Sequence, residues 1–103
     1  MDDSIIALTI TGADSSKVEY ARQMLVNTHA VGGLSYSTEK TRYWMGGQMV
    51  ERDCTVLRAI TYQSKLPDVN AELPKGVSIV SAYPCTYVSA EVAKWLRESV
   101  KAQ

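Results

Sequence analysis

The chain has 103 residues, with 11 basic and 11 acidic side chains and no net formal charge. That length makes a single domain, and the charge balance excludes a nucleic-acid binder that works by bulk electrostatics. At 46% hydrophobic residues the chain is globular rather than disordered, and no apolar run approaches the roughly 20 residues of a membrane span.

The aromatic residues are Tyr and Trp, with no Phe, and both types carry polar handles that suit interfaces. Met1-Asp2-Asp3 is acidic where a signal peptide would carry its basic region. A cytoplasmic or otherwise reducing location is therefore expected, with Cys54 and Cys85 as free thiols.

Ser4 to Thr11 reads as a first strand, apolar on both faces and so expected at the centre of a sheet. Asp14, Ser15 and Ser16 offer N-caps for a helix from Ser16 to His29. Val18, Ala21, Leu25 and Thr28 fall on one face of that helix. Leu34 to Trp44 and Met49 to Tyr62 are two strands of about twice the usual length. Between them Gly46-Gly47 supplies the positive φ angles of a tight hairpin turn. With Met45 and Gln48 flanking the turn, Arg42 faces Glu51, Lys40 faces Asp53, Trp44 faces Met49 and Tyr43 faces Val50.

Near the base of the hairpin, Leu34, Tyr36, Leu57 and Ala59 share the face assigned to a helix-covered core. Ser35, Ser37, Cys54, Val56, Arg58 and Ile60 share the other face, which is mixed and expected to meet another chain. Gln63 to Lys75 reads as a short helix capped by Ser64, with Pro67 in its first turn and Leu66, Val69 and Leu73 at helical spacing. Val77 to Tyr83 is a fourth strand closed by Pro84. Ser89 caps a last helix from Ala90 to about Ala102, with Glu91 near its start and Arg97 and Lys101 toward its end. Its buried stripe is Val92, Leu96 and Val100, with Trp95 beside it.

The order strand, helix, strand, strand, helix, strand, helix is an α+β arrangement, the ferredoxin-like βαββαβ pattern with an extra C-terminal helix. It leaves one sheet face open. Val56 and Ile60 on that face, with the overlong hairpin, imply that identical chains cover each other.

In these features the chain resembles the CutA family, small trimeric "divalent cation tolerance" proteins related in architecture to the PII signalling proteins. The resemblance rests on Tyr43-Trp44-x-Gly46 at the hairpin tip, Ile60-Thr61 ending a strand, Tyr83-Pro84 closing the fourth strand, and Val92-Ala93-Lys94-Trp95-Leu96. The family commonly has a cysteine at the start of strand two, where this chain has Ala30-Val31-Gly32-Gly33. Ile60 stands where the family has a lysine before the threonine, leaving Arg58 as the nearest base. A His-Pro-Tyr segment after the second helix is not recognisable. One extra residue between Trp44 and Thr61 is expected to form a bulge.

The resemblance implies a non-catalytic homotrimer associated with divalent metal ion tolerance, with clefts between subunits that take a metal or a small ligand. The alternative is a PII-like sensor or small enzyme binding an anion or nucleotide between subunits. Arg58, Cys54 and Tyr83 are the candidate cleft residues. Tyr43, Trp44, Met49, Val56, Ile60 and Trp95 are the candidate interface. Cys54, Cys85 and His29 are the candidate ligands for copper or zinc. Each has a plainer reading beside it: a cap or dipole residue for His29, an inert buried thiol for Cys54, an intersubunit salt bridge for Arg58. No Ser-His-Asp or Cys-His grouping follows from the spacing, and neither nucleic acid nor membrane is an expected partner.

Overall fold

The computed structural model describes residues 3–100. Ile5–Gly12 (β1), Ser15–Asn27 (α1), Leu34–Met45 (β2), Gln48–Tyr62 (β3), Leu66–Ala71 (α2), Val77–Pro84 (β4) and Ala90–Ser99 (α3) follow one another, with a 3-10 turn over Gln63–Lys65. The strands form one sheet in the order β2-β3-β1-β4, every neighbouring pair antiparallel. This is the expected ferredoxin-like arrangement with one added helix. Among the described residues no helix is long and apolar enough to cross a membrane.

β1 lies between β3 and β4 because its alternation serves two partners at once. Ile6, Leu8 and Ile10 are buried on the helix side, opposite Thr61, Ala59 and Leu57 of β3. Ile5, Ala7 and Thr9 point the other way and stay half-buried. Val18, Ala21 and Leu25 of α1 close the core from above, joined by Ala30, Val31, Val69 and Val77. Removing these side chains from water is the main force holding the fold.

Helix ends depart from the sequence reading where single residues decide them. Asp14 caps α1: its Oδ1 accepts from the Ser16 backbone N–H at 3.0 Å and from the Ser16 hydroxyl at 2.6 Å. The helix stops at Asn27 rather than His29, because His29 takes a left-handed φ of 59°. Its N–H donates to the Val26 carbonyl at 3.1 Å, and the Ala30 N–H donates to the Leu25 carbonyl at 3.1 Å. That double closure is the Schellman motif, with histidine at the position glycine usually holds. The segment from Gln63 is a 3-10 turn followed by an α2 ending at Ala71, shorter than the pattern implied. Ser64 does not cap it; Asp3 accepts from the Ser64 N–H at 3.1 Å and from its hydroxyl.

Ser89 does cap α3, its hydroxyl accepting from the Val92 N–H at 3.2 Å. The helix ends at Ser99, since Val100 is extended; Lys101 lies outside the described residues. Leu96 and Val100 are buried, whereas Val92 and Trp95 remain 36% and 41% exposed. α3 comes close to the chain at Gly32, where a Cβ would sit 3.0 Å from the Trp95 ring. A side chain there would need the Trp95 and Leu96 side chains to give by a few tenths of an ångström.

The hairpin register is as read. Lys40–Asp53, Arg42–Glu51, Tyr43–Val50 and Trp44–Met49 face each other, and Arg42 Nε lies 3.2 Å from Glu51 Oε2. Gly46 and Gly47 have φ of 58° and 78°, the pair of positive angles that a twisted two-residue hairpin requires. The expected bulge does not fall in this arm, where the β2–β3 register is unbroken. The sheet's irregularity lies instead at Thr9/Ile10, where β4 spends Val80 outside the ladder. Tyr36 is also corrected. It faces the helix side but is 57% exposed, because β2 is an edge strand beyond the core. Its ring lies instead under the Arg22 guanidinium at 4.6 Å, which Glu19 holds in place.

The join between sheet and loop depends on one buried bond. Thr61 is fully buried and its Oγ1 donates to the buried Ala30 carbonyl at 2.7 Å. Thr61→Val keeps the shape but strands that carbonyl, and should cost about 1–3 kcal/mol in urea unfolding. An unchanged urea midpoint would show that the bond contributes nothing.

Candidate functional site

Pairing in the sheet fixes what its open face presents. β3 sends Cys54, Val56, Arg58 and Ile60 there, β1 sends Ala7, Thr9 and Thr11, and β2 sends Ser35, Ser37 and Glu39. The middle of this face holds a polar cluster. Arg58 Nη1 lies 2.7 Å from Glu39 Oε2 and 3.5 Å from Ser37 Oγ, and the Ser37 hydroxyl donates to Glu39 at 2.8 Å. Ser37 was read on this face with Arg58, but Glu39 was not singled out in the sequence. The signal was there, since alternation along β2 puts Glu39 on the same face as Ser37 and Arg58. Arg58 thus finds its carboxylate within the chain, where the sequence pointed to an intersubunit salt bridge.

Hydrogen bonding from Arg58, then from Ser37, holds the Glu39 carboxyl below the ordinary glutamate value, with desolvation opposing. The same bond pushes Arg58 further up. Both side chains keep substantial solvent contact, at 40% for Glu39 and 52% for Arg58, so water screens the pair.

Two depressions flank the cluster. One, of about 530 Å³, is lined by Ala7, Thr9, Ser35, Arg58, Ile60 and Trp95 among others. Trp95 reaches this rim because α3 packs over Gly32 and Gly33. The other, of about 350 Å³, is apolar and lined by Thr11, Thr41, Tyr43, Met45, Cys54 and Val56. Arg58 and Cys54 therefore line separate depressions, and Tyr83, 65% exposed on β4, lines neither. Cys54 and Val56 are already buried within the chain, which leaves them little surface to give a partner. Trp44 and Met49 at the arm's tip are open to solvent, while Tyr43 is half-buried with the Arg52 guanidinium 5.8 Å from its ring.

The candidate metal ligands are not gathered. His29 sits at the end of α1 with Nδ1 3.0 Å from the Ser99 carbonyl oxygen, so it joins the last turn of α3 to the α1 cap. Cys85 follows β4, its N–H bonded to the Ile5 carbonyl at 2.9 Å. Both cysteines are free thiols. Among the described residues no three His, Cys, Asp or Glu side chains come together.

No protein-family model matches the sequence, and no curated protein matches it. Solved structures do. CutA1 from Oryza sativa superposes with a TM-score of 0.83 over 98% of this chain and 97% of its own, at 13% identity. The fold is that of the CutA proteins. The periplasmic divalent cation tolerance protein CutA from Archaeoglobus fulgidus gives 0.82 at 18% identity, over 94% of this chain and 99% of its own. The divalent ion tolerance protein CutA1 from Ehrlichia chaffeensis gives 0.81 at 11% identity, over 99% of this chain and 100% of its own. At such identities the likeness speaks for backbone architecture, and the side chains on the open face have to be read for themselves.

The Arg58–Glu39 pair sets a pH dependence. Because the folded carboxyl of Glu39 is depressed, its contribution to stability is present above the ordinary glutamate range and fades as pH falls through the folded value. An NMR titration should place Glu39 below free glutamate, and Arg58→Gln should move it upward. A Glu39 titration identical in both proteins would show that the bond does not form in solution.

Proposed function

We propose that the chain acts as a non-catalytic homotrimer of the CutA type, associated with tolerance of divalent metal ions, with ligand sites in the clefts between its subunits. The observation that carries this reading is the open sheet face joined to an overlong apolar-tipped arm. The chain measures 45 × 26 × 22 Å, drawn out along the hairpin. At the tip Trp44, Met45 and Met49 are 71%, 57% and 44% exposed. A two-stranded arm is marginal in water by itself, and an apolar tip gains from a surface to pack on. A second and third copy of the chain supply that surface through the same open face.

In such a trimer the depression with Arg58, Ile60 and Trp95 lies in a cleft between chains, and Tyr83 joins it from the neighbouring edge. The ligand is a metal ion or a small anion. Copper and zinc are the candidate metals, and of Cys54, Cys85 and His29 the partly exposed Cys85 thiol has the surface to offer, since Cys54 is buried in its own chain and His29 is tied to the Ser99 carbonyl. The free thiols suit a reducing compartment such as the cytoplasm.

Light scattering at micromolar concentration should give about three times 11.4 kDa. A monomer would overturn the assembly, and a dimer would overturn the CutA reading. Trp44→Ala should lower the melting temperature by removing up to about 2–3 kcal/mol of apolar burial per chain. It should also make the melting temperature depend more steeply on protein concentration. If both stay the same, the arm is not an assembly device. A thermal-shift panel of divalent metals, nucleotides and carboxylates then separates the metal-linked scaffold from a PII-like sensor. The class that raises the melting point by mass action names the function.

A further inference from the structure

Strand register sets two rows side by side on the open face. Arg58 is flanked by Ser35 of β2 and Thr9 of β1, which makes a polar row. Ile60 is flanked by Ala7 of β1, which makes an apolar one. Both rows line the depression of about 530 Å³, and Trp95 of α3 stands at its rim, 41% exposed. That volume falls in the range of ligand sites, which combine apolar walls with a few polar groups. The floor is therefore amphipathic along one direction, running from hydroxyls and a guanidinium to Ile60 and the indole.

The polar end carries both signs of charge in contact. Arg58 reaches Glu39 and Ser37 through Nη1, and the bonds that Glu39 receives from Arg58 and Ser37 both land on Oε2. A guanidinium donates through all three nitrogens and a carboxylate accepts through both oxygens, so Nε, Nη2 and Oε1 keep capacity for a ligand. The pair is neutral as a whole. An anion would have to share Arg58 with Glu39, and a cation would have to share Glu39 with Arg58. A ligand with one charge of each sign meets both and leaves the balance as it is.

We propose that this depression binds a zwitterionic amino acid with an aromatic side chain. Its carboxylate takes the remaining N–H groups of Arg58, and its ammonium takes Oε1 of Glu39. Its ring lies over Ile60 and Ala7 against the Trp95 indole. The inference rests on the reading of this depression as a ligand site, and it refines the small anion named there to a zwitterion.

The test titrates the full chain with L-phenylalanine. Phenethylamine and 3-phenylpropionate serve as analogues that keep the ring and one charge each. Amide NMR shifts should gather at Ser35, Arg58, Ile60 and Trp95. Each singly charged analogue should bind about tenfold more weakly than phenylalanine, or worse. Glu39 and Arg58 are partly exposed, so both can be replaced without opening the core. Glu39→Gln should weaken phenylalanine about tenfold yet tighten 3-phenylpropionate, since Arg58 is then unshared. A merely structural Glu39 would not reverse that order. Arg58→Gln should weaken phenylalanine about tenfold as well. No shift up to about 10 mM phenylalanine would overturn the proposal. So would 3-phenylpropionate binding as tightly as phenylalanine, the mark of a simple anion site, or full phenylalanine affinity in Glu39→Gln. Light scattering on the same samples keeps the two readings apart. A trimer that ignores phenylalanine overturns the zwitterion site alone, and a monomer that binds it in this pattern overturns the assembly alone.

Discussion

The pairing of β3 is the constraint on which the rest depends. This strand of 15 residues runs against β2 from Gln48 to Ala59 and against β1 from Val56 to Tyr62. Successive side chains of a strand alternate between faces, so each residue of β3 commits its neighbours on two other strands. Leu57 and Ala59 look toward α1 because Leu8 and Ile10 do. Arg58 then has no choice but the open face, next to Ser37 and Glu39. A slip of one residue would carry Arg58 into the core and Leu57 into water. The polar cluster and the apolar core are thus two consequences of one register.

Much of this was legible because it depends on local patterns. The Gly46-Gly47 turn, flanked by Met45 and Gln48, sets the register of the arm, and the opposed charges at Arg42 and Glu51 agree with it. Asp14 and Ser89 are helix caps by residue type and position. What could not be read depends on tertiary context. Nothing in the residues around His29 announces a left-handed backbone, since glycine is the usual signal and Gly32-Gly33 follow only later. Tyr36 alternates with the core residues, yet periodicity does not say how far across the sheet the helices reach. Asp3 caps a turn 61 residues away, a distance at which no local motif operates.

The candidate site was legible in part. Alternation placed Arg58, Val56 and Ile60 together, and that grouping is a property of strand geometry. The pairing of Arg58 with Glu39 follows from the same alternation once β2 and β3 are set side by side, but it requires the charge to reach diagonally across the ladder. That diagonal bond changes the chemistry of the face. An anion entering the larger depression meets a guanidinium already matched by a carboxylate, so it has to displace Glu39 or share Arg58 with it. The apolar part of the depression, with Ile60 and Trp95, is the part open without such competition.

The same reasoning explains how a backbone persists while its sequence changes. A four-stranded sheet needs alternating apolar residues on one face, glycines at a tight turn and small residues where a helix passes close. Many sequences meet those demands, which is why CutA1 from Oryza sativa matches this chain at a TM-score of 0.83 with 13% identity. The demands fall on the core face, on Gly46-Gly47 and on Gly32. They bear less on the polar part of the open face and on the arm's tip, whose Arg58, Glu39, Trp44 and Met49 stay exposed. It is on those surfaces, through Arg58 and Glu39 and through Trp44 and Met49, that this chain sets its own chemistry on a shared frame.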